Sequence, residues 1–511
     1  MNKTIKILSI LFVLLLTLTS CDFIAGSELD DPACTEHADM NDDGACDICS
    51  TSLYVFVDFY VLNDLHGKFD DTSSNQGVDE LTTYLKQMSQ NDDNFFFLSS
   101  GDMWQGSSES NLTKGLIMTE WMNELGFVSM TLGNHEFDWG EEYIVENEKI
   151  AEFPFLAINI YDKATNQRVD YCESSVIVEC DGIQIGIIGA IGDCYSSISA
   201  EKTEDIYFKT GSQLTQLVKD EATRLRSMGV DYIVYSVHDG FESNKKTDYN
   251  VSDKELRAYY DAALSDGYVD LVFEGHTHKS YVLIDSEDVY HMQNGGENQG
   301  ISHVEIKINS LTNSSAVTNA EIVSSSVYIK YDDDPVVDEL LEKYKDVIAH
   351  GSEVLGNNLR WRDDEEVEAL VAKLYFEAGS EKWSKQYDIV LGGGFIKTRS
   401  PYNLKAGSVK YSDIQSLLPF DNDIVLCSIK GSDLLRRFIN TDNSDYFLFY
   451  GDYGNSIKDN IDPYATYYVI CDSYTSAYAY NKLTVVDRFT SGVYARDLVA
   501  DFIKNGGWAN K

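Results

Sequence analysis

Short apolar runs alternate with helix-forming stretches along the first half of the chain. Five of these runs are rich in β-branched or aromatic residues, and they predict buried strands at 54–62, 95–100, 183–190, 231–237 and 270–273. The stretches between them predict helices at 78–90, 211–228 and 253–265. Alternation of strand and helix predicts an α/β fold whose functional loops lie at strand ends.

The second half of the chain continues this alternation after an acidic segment. The stretch 332–349 contains Pro335 followed by an acidic pattern that predicts a helix. We therefore divide the folded chain into a first domain at 51–331, a linker helix at 332–352 and a second α/β domain at 353–511. With 511 residues, the chain is long enough for each domain to bury its own core.

The N-terminus has the pattern of an export signal. Lys3 and Lys6 precede an apolar run at 7–18, which is shorter than the ~18–20 apolar residues of a membrane-spanning helix, so we predict a signal peptide at 1–20. The sequence LTSC at 18–21 resembles the lipobox of bacterial lipoproteins, in which the cysteine is lipidated; a plain signal with a chance cysteine is the alternative. The mature chain is then expected outside the cytoplasm, in contact with the membrane only through lipid on Cys21 and followed by a tether at 21–33.

Residues 34–50 form a small module rich in cysteine and acidic residues. Its order is Cys-x2-His-x8-Cys-x2-Cys, so two pairs of ligands could close a tetrahedral zinc site formed by Cys34, His37, Cys46 and Cys49. The same stretch has the spacing of the first half of a calcium loop, but Ser50 stands where such a loop needs a glutamate. A disulfide-tied spacer is a third interpretation, because an exported chain meets oxidising conditions.

Charge narrows the choice of partners. The chain contains 84 Asp and Glu against 40 Lys and Arg, which gives a formal net charge of −44. Such acidity argues against a broad nucleic-acid-binding surface, so no nucleic-acid polymer is expected as a partner. An anionic substrate must instead be held by local positive charge.

Most of the metal-binding side chains in the first domain fall in five short segments that follow strand-like runs. These segments are NDLHG (63–67), SGDMWQG (100–106), GNHEFDWG (133–140), VHDG (237–240) and EGHTH (274–278). They hold five of the nine histidines of the chain, which random placement would scatter. Carboxylates flanked by imidazoles and neutral oxygens can hold two divalent ions about 3.5–4 Å apart, an arrangement suited to hydrolysis of phosphate esters.

In this order, the five segments resemble the calcineurin-like metallophosphoesterases and, within them, the bacterial 5′-nucleotidase family, from about residue 54 to the C-terminus. The resemblance implies an α/β fold with an N-terminal β-sandwich flanked by helices and a smaller C-terminal α/β substrate-binding domain. It implies two divalent metal ions, the first held by Asp64, His66, Asp102 and His278 and the second by Asp102, Asn134, His238 and His276. Ligands of these types suit zinc or manganese, with iron or cobalt as alternatives. It also implies that His135, oriented by Asp138, stabilises the transition state or protonates the leaving alkoxide.

In the second domain the resemblance implies contacts to the substrate. The segment LGGGFIKTRSP (391–401) is similar to the family's glycine-rich loop and makes Arg399, or else Lys397, the residue on the phosphate side. Arg362, with Arg360 beside it, stands near the place of another such arginine.

Aromatic residues are the implied contacts to the base. The Pro-Phe pair at 419–420 makes Phe420 the residue that stacks on the base. The family's glycine-aspartate-glycine loop is missing from 471–489, where Tyr478 or Tyr480 is expected to close the other side of the clamp. This departure leaves the preferred nucleotide open.

Together these features predict an extracytoplasmic, lipid-anchored hydrolase that binds two metal ions and releases phosphate from nucleotides. A UDP-sugar diphosphatase or a 2′,3′-cyclic-nucleotide phosphodiesterase is an alternative within the same chemistry. A surface lipoprotein that binds nucleotides without turnover is the alternative from another class, and it would be expected to lack one of the metal ligands.

Overall fold

The computed structural model describes residues 37–40, 44–70, 76–90, 94–241, 267–285, 287–394, 396, 398, 403–439, 448–451, 457–477 and 481–509. The chain divides into two compact units, Met1–Leu53 and Tyr54–Lys511. Cys21 and the predicted signal peptide lie outside the described residues. Within the described ranges, the structure contains no helix that is long and apolar enough to cross a membrane.

Within the described ranges, fourteen strands occupy the N-terminal part of the larger unit. They are β1 (Tyr54–Leu62), β2 (Phe95–Ser99), β3 (Ser129–Thr131), β4 (Phe155–Leu156), β5 (Ile160–Asp162), β6 (Ser175–Cys180), β7 (Ile183–Ile191), β8 (Ile206–Phe208), β9 (Tyr232–His238), β10 (Leu271–Phe273), β11 (Tyr281–Ile284), β12 (Tyr290–Gln293), β13 (Gly300–Asn309) and β14 (Ser315–Ser324). One six-stranded sheet has the order β14-β13-β1-β2-β3-β4, and a second has the order β11-β12-β10-β9-β7-β6. Strands β5 and β8 form a separate antiparallel pair. The five strands predicted from the sequence all lie in the two six-stranded sheets.

The two six-stranded sheets pack face to face on a shared apolar core. Val57, Phe59 and Val61 alternate along β1 and are fully buried, and they share one cluster with Ile185 and Ile187 of β7. Alternate residues of a strand point to the same face, so this period-two pattern places one row of each sheet against the other. The N-terminal part is therefore a β-sandwich, as the family resemblance implied.

Parallel pairing brings the carboxyl ends of several strands together. Strand β1 is parallel to β2, and β2 is parallel to β3. In the second sheet, β7 and β10 both run parallel to β9. The loops that follow these strands consequently leave the sheets on one side, where open α/β folds carry their sites.

Helices cover the outer faces of the sandwich. They are α1 (Asp79–Ser89), α2 (Ser108–Thr113), α3 (Leu116–Leu125), α4 (Glu141–Glu148), α5 (Ser212–Ser227), α6 (Ser325–Tyr328) and α7 (Pro335–Ile348). Helices α1 and α5 match the predicted segments 78–90 and 211–228 to within a residue. The predicted helix at 253–265 lies outside the described residues.

Helix α7 is the predicted linker helix, and it is packed against the sandwich. The Asp334 carboxylate accepts a hydrogen bond from Val336 N at 3.0 Å, which caps the helix before the proline of its first turn. Val336, Val337 and Leu340 are buried in the core cluster that also contains helix α3. A helix anchored in this way positions the chain that follows it.

The C-terminal part has a sheet and a core of its own. Its strands are β15 (Val354–Asn358), β16 (Ile389–Gly394), β17 (Gly407–Lys410), β18 (Ile424–Lys430), β19 (Leu448–Gly451), β20 (Thr466–Asp472) and β21 (Thr484–Arg488), and its helices are α8 (Asp364–Trp383), α9 (Tyr411–Leu417), α10 (Gly431–Leu434), α11 (Ile457–Asn460), α12 (Ser473–Ala477) and α13 (Ala495–Lys504). Five strands form a mixed sheet in the order β19-β16-β20-β18-β21. Helices α8, α9 and α13 contribute to the main apolar core of this part. The α/β class predicted from the sequence therefore holds in both halves of the larger unit.

Candidate functional site

The seven side chains predicted as metal ligands meet at one edge of the sandwich. They follow or end five strands: Asp64 and His66 after β1, Asp102 after β2, Asn134 after β3, His238 at the end of β9, and His276 and His278 after β10. Three of these strands belong to one sheet and two to the other, so the site lies where the two sheets converge.

The first group contains Asp64, His66 and His278. Their ligand atoms all lie within 4.8 Å of one another. The Nε2 atoms of the two histidines are 3.0 Å apart, and the Nε2 of His278 is 3.3 Å from Oδ1 of Asp64. Two imidazoles and a carboxylate at these distances form one face of a site for a divalent ion.

The second group contains Asp102, Asn134, His238 and His276. His238 Nε2 lies 3.0 Å from Oδ2 of Asp102 and 3.2 Å from Oδ1 of Asn134. His276 Nδ1 lies 2.9 Å from the same Asn134 oxygen. Ligand atoms of Asp64, Asp102 and His238 also lie within 4.8 Å of one another, so both carboxylates stand between the two groups.

Hydrogen bonds from outside the site orient two of the imidazoles. His66 Nδ1 lies 2.9 Å from the carbonyl oxygen of Gln105, and His238 Nδ1 lies 2.7 Å from that of Ser100. A carbonyl can only accept, so each Nδ1 carries the proton, and the lone pair of Nε2 is directed into the site. Histidine ligands of metals are held in the same way.

Two buried carboxylates give the site the negative charge that attracts cations. Asp64 and Asp102 are at most 1% exposed, and in the described ranges all their ion-pair partners are imidazoles. Burial raises the pKa of Asp102, but positive charge on His238 and His135 lowers it well below its usual range. Burial lowers the pKa of His238, and the Asp102 carboxylate more than offsets this and raises it to about 10. A pair of ionised, buried carboxylates surrounded by imidazoles is a donor set that fits divalent ions, which would take the place of protons.

Five of the seven predicted ligands have left-handed backbone conformations. The φ angles are 50° at Asp64, 52° at His66, 55° at Asp102, 72° at His276 and 53° at His278. Residues other than glycine adopt this region at a cost, and such conformations concentrate at functional sites. The sharp turns after β1, β2 and β10 direct these ligand side chains into the centre.

His135 and Asp138 lie beside the metal-binding groups. His135 Nδ1 is 2.8 Å from Oδ2 of Asp138, and the His135 backbone N–H donates to Oδ1 of Asp102 at 2.8 Å. His135 begins the short 3-10 helix His135–Phe137 and Asp138 follows it, so one turn of this helix brings the two side chains together. The ring of Phe420, from the C-terminal part, lies with its centroid 6.0 Å from that of His135.

Glu136 is a residue that the sequence reasoning missed. It is fully buried, and its carboxylate accepts hydrogen bonds from the backbone N–H groups of Asp102 (2.9 Å), Met103 (2.9 Å) and Gly133 (2.7 Å). Burial and then the Asp102 carboxylate raise the pKa of Glu136 to about 7. It thus joins the loop that carries Asp102 to the loop that carries Asn134 and His135. Its place inside GNHEFDWG is the sequence signal that could have identified it.

A cavity of about 280 Å³ extends from the metal centre to the C-terminal part. On the metal side it is lined by Asn134, His135, Asp138 and His276. It is also lined by Phe420, the residue predicted to stack on the base, and by residues that the sequence did not single out: Tyr375, Asn422, Asp472 and Tyr474. Lys202 also lines it and supplies positive charge from the sandwich side.

The structure does not bring Arg362 to this cavity. Arg362 is 6% exposed, its Nε donates to Oδ1 of Asn358 at 2.9 Å, and its guanidinium lies 4.6 Å from the centre of the Trp508 ring. Arg360 instead pairs with Glu366 at the surface. In this structure Arg362 therefore packs within the C-terminal part, and its phosphate-side role stays a prediction. Arg399, Lys397, Tyr478 and Tyr480 lie outside the described residues.

Comparison with known proteins agrees with this geometry. Residues 57–280 match the calcineurin-like phosphoesterase family. The chain is 22% identical to a 5′-nucleotidase of Diplobatis ommata over 74% of this chain and 69% of that protein, and 24% identical to the protein UshA of Yersinia enterocolitica over 72% of each.

Solved structures show the same fold. A 5′-nucleotidase precursor from Thermus thermophilus superposes with a TM-score of 0.67 at 18% identity, over 88% of this chain and 96% of that one. A 5′-nucleotidase from Staphylococcus aureus, described as a complex with alpha-ketoglutarate, also gives 0.67 at 19% identity, over 89% and 98% of the two chains. This chain therefore contains a calcineurin-like phosphoesterase domain and fits the 5′-nucleotidase family in sequence and fold.

Proposed function

We propose that this protein is a two-metal 5′-nucleotidase that releases phosphate from nucleoside monophosphates outside the cytoplasm. The observation that carries the proposal is the arrangement of the cavity. The metal ligands Asn134 and His276 line it together with His135 and with the ring of Phe420, whose centroid is 6.0 Å from that of His135. A nucleotide has both matching groups, a phosphate for the metal-binding side chains and an aromatic base for the ring.

Two divalent ions held by these residues would supply charge neutralisation at the phosphate and a bound water of lowered pKa as the nucleophile. The residues of the chain prepare the site for that reaction. Asp64 and Asp102 stand between the two ligand groups, and the outer hydrogen bonds of His66 and His238 fix which ring nitrogen faces inward.

His135 is the proposed acid of the reaction. The Asp138 carboxylate accepts a hydrogen bond from Nδ1, so Nε2 is the nitrogen that exchanges a proton with the leaving oxygen. The same orientation lets the ring stabilise negative charge as the bond to phosphorus lengthens.

For the metals, we propose zinc or manganese. Imidazole nitrogens suit zinc, whereas the carboxylates and the Asn134 oxygen are also ligands that manganese accepts. For the location, we propose export by the signal at 1–20 and anchoring through a lipid on Cys21, on the sequence pattern alone. Incorporation of labelled fatty acid into the intact chain, and its loss in Cys21→Ala, would test the anchor.

The base-binding end leaves room for related substrates. Relatives of the chain include an apyrase of Tabanus yao as well as UshA, and a structural neighbour is a NAD nucleotidase of Haemophilus influenzae. The second candidate function is the alternative that the sequence leaves open, a UDP-sugar diphosphatase or a 2′,3′-cyclic-nucleotide phosphodiesterase with the same metal centre.

The test is phosphate release by the purified chain after chelation and after addition of manganese or zinc. AMP, UDP-glucose and 2′,3′-cyclic AMP are compared as substrates. We expect metal-dependent release from AMP, and His135→Ala should lower kcat by about 10²- to 10⁴-fold. His350→Ala, which removes an exposed histidine from outside the five segments, is the matched control and should keep full activity.

Two other outcomes of this test would lead to different conclusions about the function. Faster hydrolysis of UDP-glucose or of the cyclic nucleotide would replace the first candidate with the second. Binding of metal and nucleotide without any hydrolysis would contradict both and favour a surface nucleotide-binding protein.

A further inference from the structure

The smaller unit of the chain contains a second group of metal-ligand side chains. His37, Cys46 and Cys49 each offer one ligand atom, and these atoms lie within 4.8 Å of one another. They belong to a short stretch that precedes the sandwich in sequence, and none of them is part of the phosphate-hydrolysing centre. Metal binding here would therefore be independent of that centre.

The distance between the imidazole and one sulfur fits a tetrahedral zinc ion. Zinc binds sulfur at about 2.3 Å and imidazole nitrogen at about 2.0–2.1 Å, so two such ligands at a tetrahedral angle are about 3.6 Å apart. The Nδ1 of His37 and the Sγ of Cys49 are 3.5 Å apart. This separation is therefore the one that a shared zinc ion requires.

A tight backbone loop holds Cys46 and Cys49 close together. Ser50 N–H donates to the Cys46 carbonyl at 2.7 Å, and Cys46 N–H donates to the Thr51 carbonyl at 2.9 Å. Cys49 Sγ lies 3.3 Å from the Thr51 hydroxyl at the end of the same loop. The loop thus fixes the backbone from which both sulfur atoms extend, and cysteine sulfur is a ligand that zinc prefers.

The acidic residues of the loop have structural contacts of their own. Asp39 accepts a hydrogen bond from Gly44 N–H at 2.8 Å, and Asp47 accepts one from Met40 N–H at 2.5 Å. These carboxylates stabilise the turn, whereas a calcium loop would direct them to the ion. Two sulfur ligands also favour zinc over calcium, which prefers oxygen.

We propose that His37, Cys46 and Cys49 bind a structural zinc ion. Cys34, which the Cys-x2-His spacing predicts as a further ligand, lies outside the described residues. Two thiolates and an imidazole are the ligand types of structural zinc sites, so this zinc would fold the module. Short chains of this size are commonly folded only when their metal is bound.

Cobalt replacement in the full reduced chain separates the two kinds of site. Thiolate bound to Co²⁺ produces a near-ultraviolet charge-transfer absorption that imidazole, carboxylate and amide ligands do not produce. We expect this absorption in the native chain and in Asp102→Ala, whose defect is confined to the hydrolytic centre. Cys46→Ser should lose it, together with about one zinc ion per chain, while phosphate release is unchanged.

Two further variants protect the test from misinterpretation. Cys194 lies within 4.8 Å of His238 and His276, but its S–H donates to the His238 carbonyl at 2.8 Å, so Cys194→Ser should retain the absorption. Cys49→His exchanges one zinc ligand for another, and it should weaken the absorption without lowering the zinc content. A native chain without the absorption would overturn the proposal, as would a disulfide at Cys46 or Cys49 in protein isolated without reductant.

Discussion

The two-metal centre and the cavity wall from the C-terminal part are built in different ways. Every proposed ligand of that centre lies at or shortly after the end of a buried strand, and hydrogen bonds to backbone carbonyl groups orient two of them. The C-terminal wall combines side chains from a helix, from the loop after α9 and from the start of α12, such as Tyr375, Phe420 and Tyr474. Under the proposed function, sheet topology would thus set the reaction, whereas residues that can change without disturbing the sheets would select the substrate.

Loss of Asp102 should have the largest effect, because its carboxylate stands between the two ligand groups. We expect Asp102→Ala to lower kcat/KM by more than about 10⁴-fold, beyond the range of a single acid-base residue. Activity assays combined with metal analysis would check this. Retention of both metals, or of more than a hundredth of the activity, would show that the two groups do not depend on one another.

Glu136 tests whether the strand-end loops need to be held together. Glu136→Gln keeps the shape but replaces one accepting oxygen with a donor, which conflicts with the N–H groups of Asp102, Met103 and Gly133. A change to a group that orients metal ligands costs about 10- to 100-fold in metal affinity or activity. Titration of the apoprotein with manganese would measure the change in metal affinity.

The matched control is Glu148→Gln, at an exposed glutamate at the end of α4. It should behave as the native chain. Unaltered metal affinity in Glu136→Gln would mean that the loops hold their positions without this carboxylate.

Substitution of Phe420 tests whether the cavity wall from the C-terminal part binds the base. If it stacks on the base, Phe420→Ala should cost about 1–3 kcal/mol of nucleotide binding, or roughly a 5- to 150-fold rise in KM for AMP. Hydrolysis of glycerol phosphate, which has no base, should change much less. Tyr464→Ala, at an exposed tyrosine, serves as the control. Equal losses of activity on AMP and on glycerol phosphate would show that Phe420 acts together with His135 in the reaction and does not bind the base.

The smallest expected effect concerns the contact between the two parts of the larger unit. Lys114, just after α2, forms an ion pair of 2.8 Å with Asp421, which also pairs with Arg496 next to Phe420. A partly exposed pair contributes up to about 1 kcal/mol, so Lys114→Ala should raise KM for AMP by no more than about 5-fold. The difference from the native chain should shrink as salt is added.

Lys149→Ala removes a lysine at the exposed end of α4 and is the matched control for that measurement. A difference between Lys114→Ala and the native chain that does not depend on salt would point instead to the packing of Lys114 over the Trp139 ring, 5.0 Å away.

The difference between the strand-end metal ligands and the C-terminal cavity wall also explains which residues could be predicted from the sequence. Asp64 and His66, like His276 and His278, follow an apolar run at a spacing of two residues, so their place at strand ends could be predicted from the sequence. That the two pairs meet depends on the packing of the two sheets. Helices α1, α5 and α7 were predictable because their apolar spacing and, for α7, the proline at the start are local signals.

Other features depend on contacts between distant segments. Arg362 stands beside Arg360 in an ordinary polar stretch, and only the folded chain reveals that Trp508 covers it. Asp472 and Tyr474 line the cavity because β20 ends there, yet nothing in their immediate sequence marks them. The role of Glu136 likewise rests on backbone N–H groups of Asp102, Met103 and Gly133, and only its place inside GNHEFDWG marks it in the sequence.

At the left-handed turns of the metal ligands, selection for thermal stability opposes selection for turnover. Asp64, His66, Asp102, His276 and His278 each adopt backbone conformations that cost an L-residue of order 1 kcal/mol and that glycine adopts freely. Glycine at any of these positions would relieve the backbone while removing the ligand. Natural variants that gain thermal stability at this edge are therefore expected to lose turnover, and the lineage can keep both only by accumulating stabilising changes in the sandwich core.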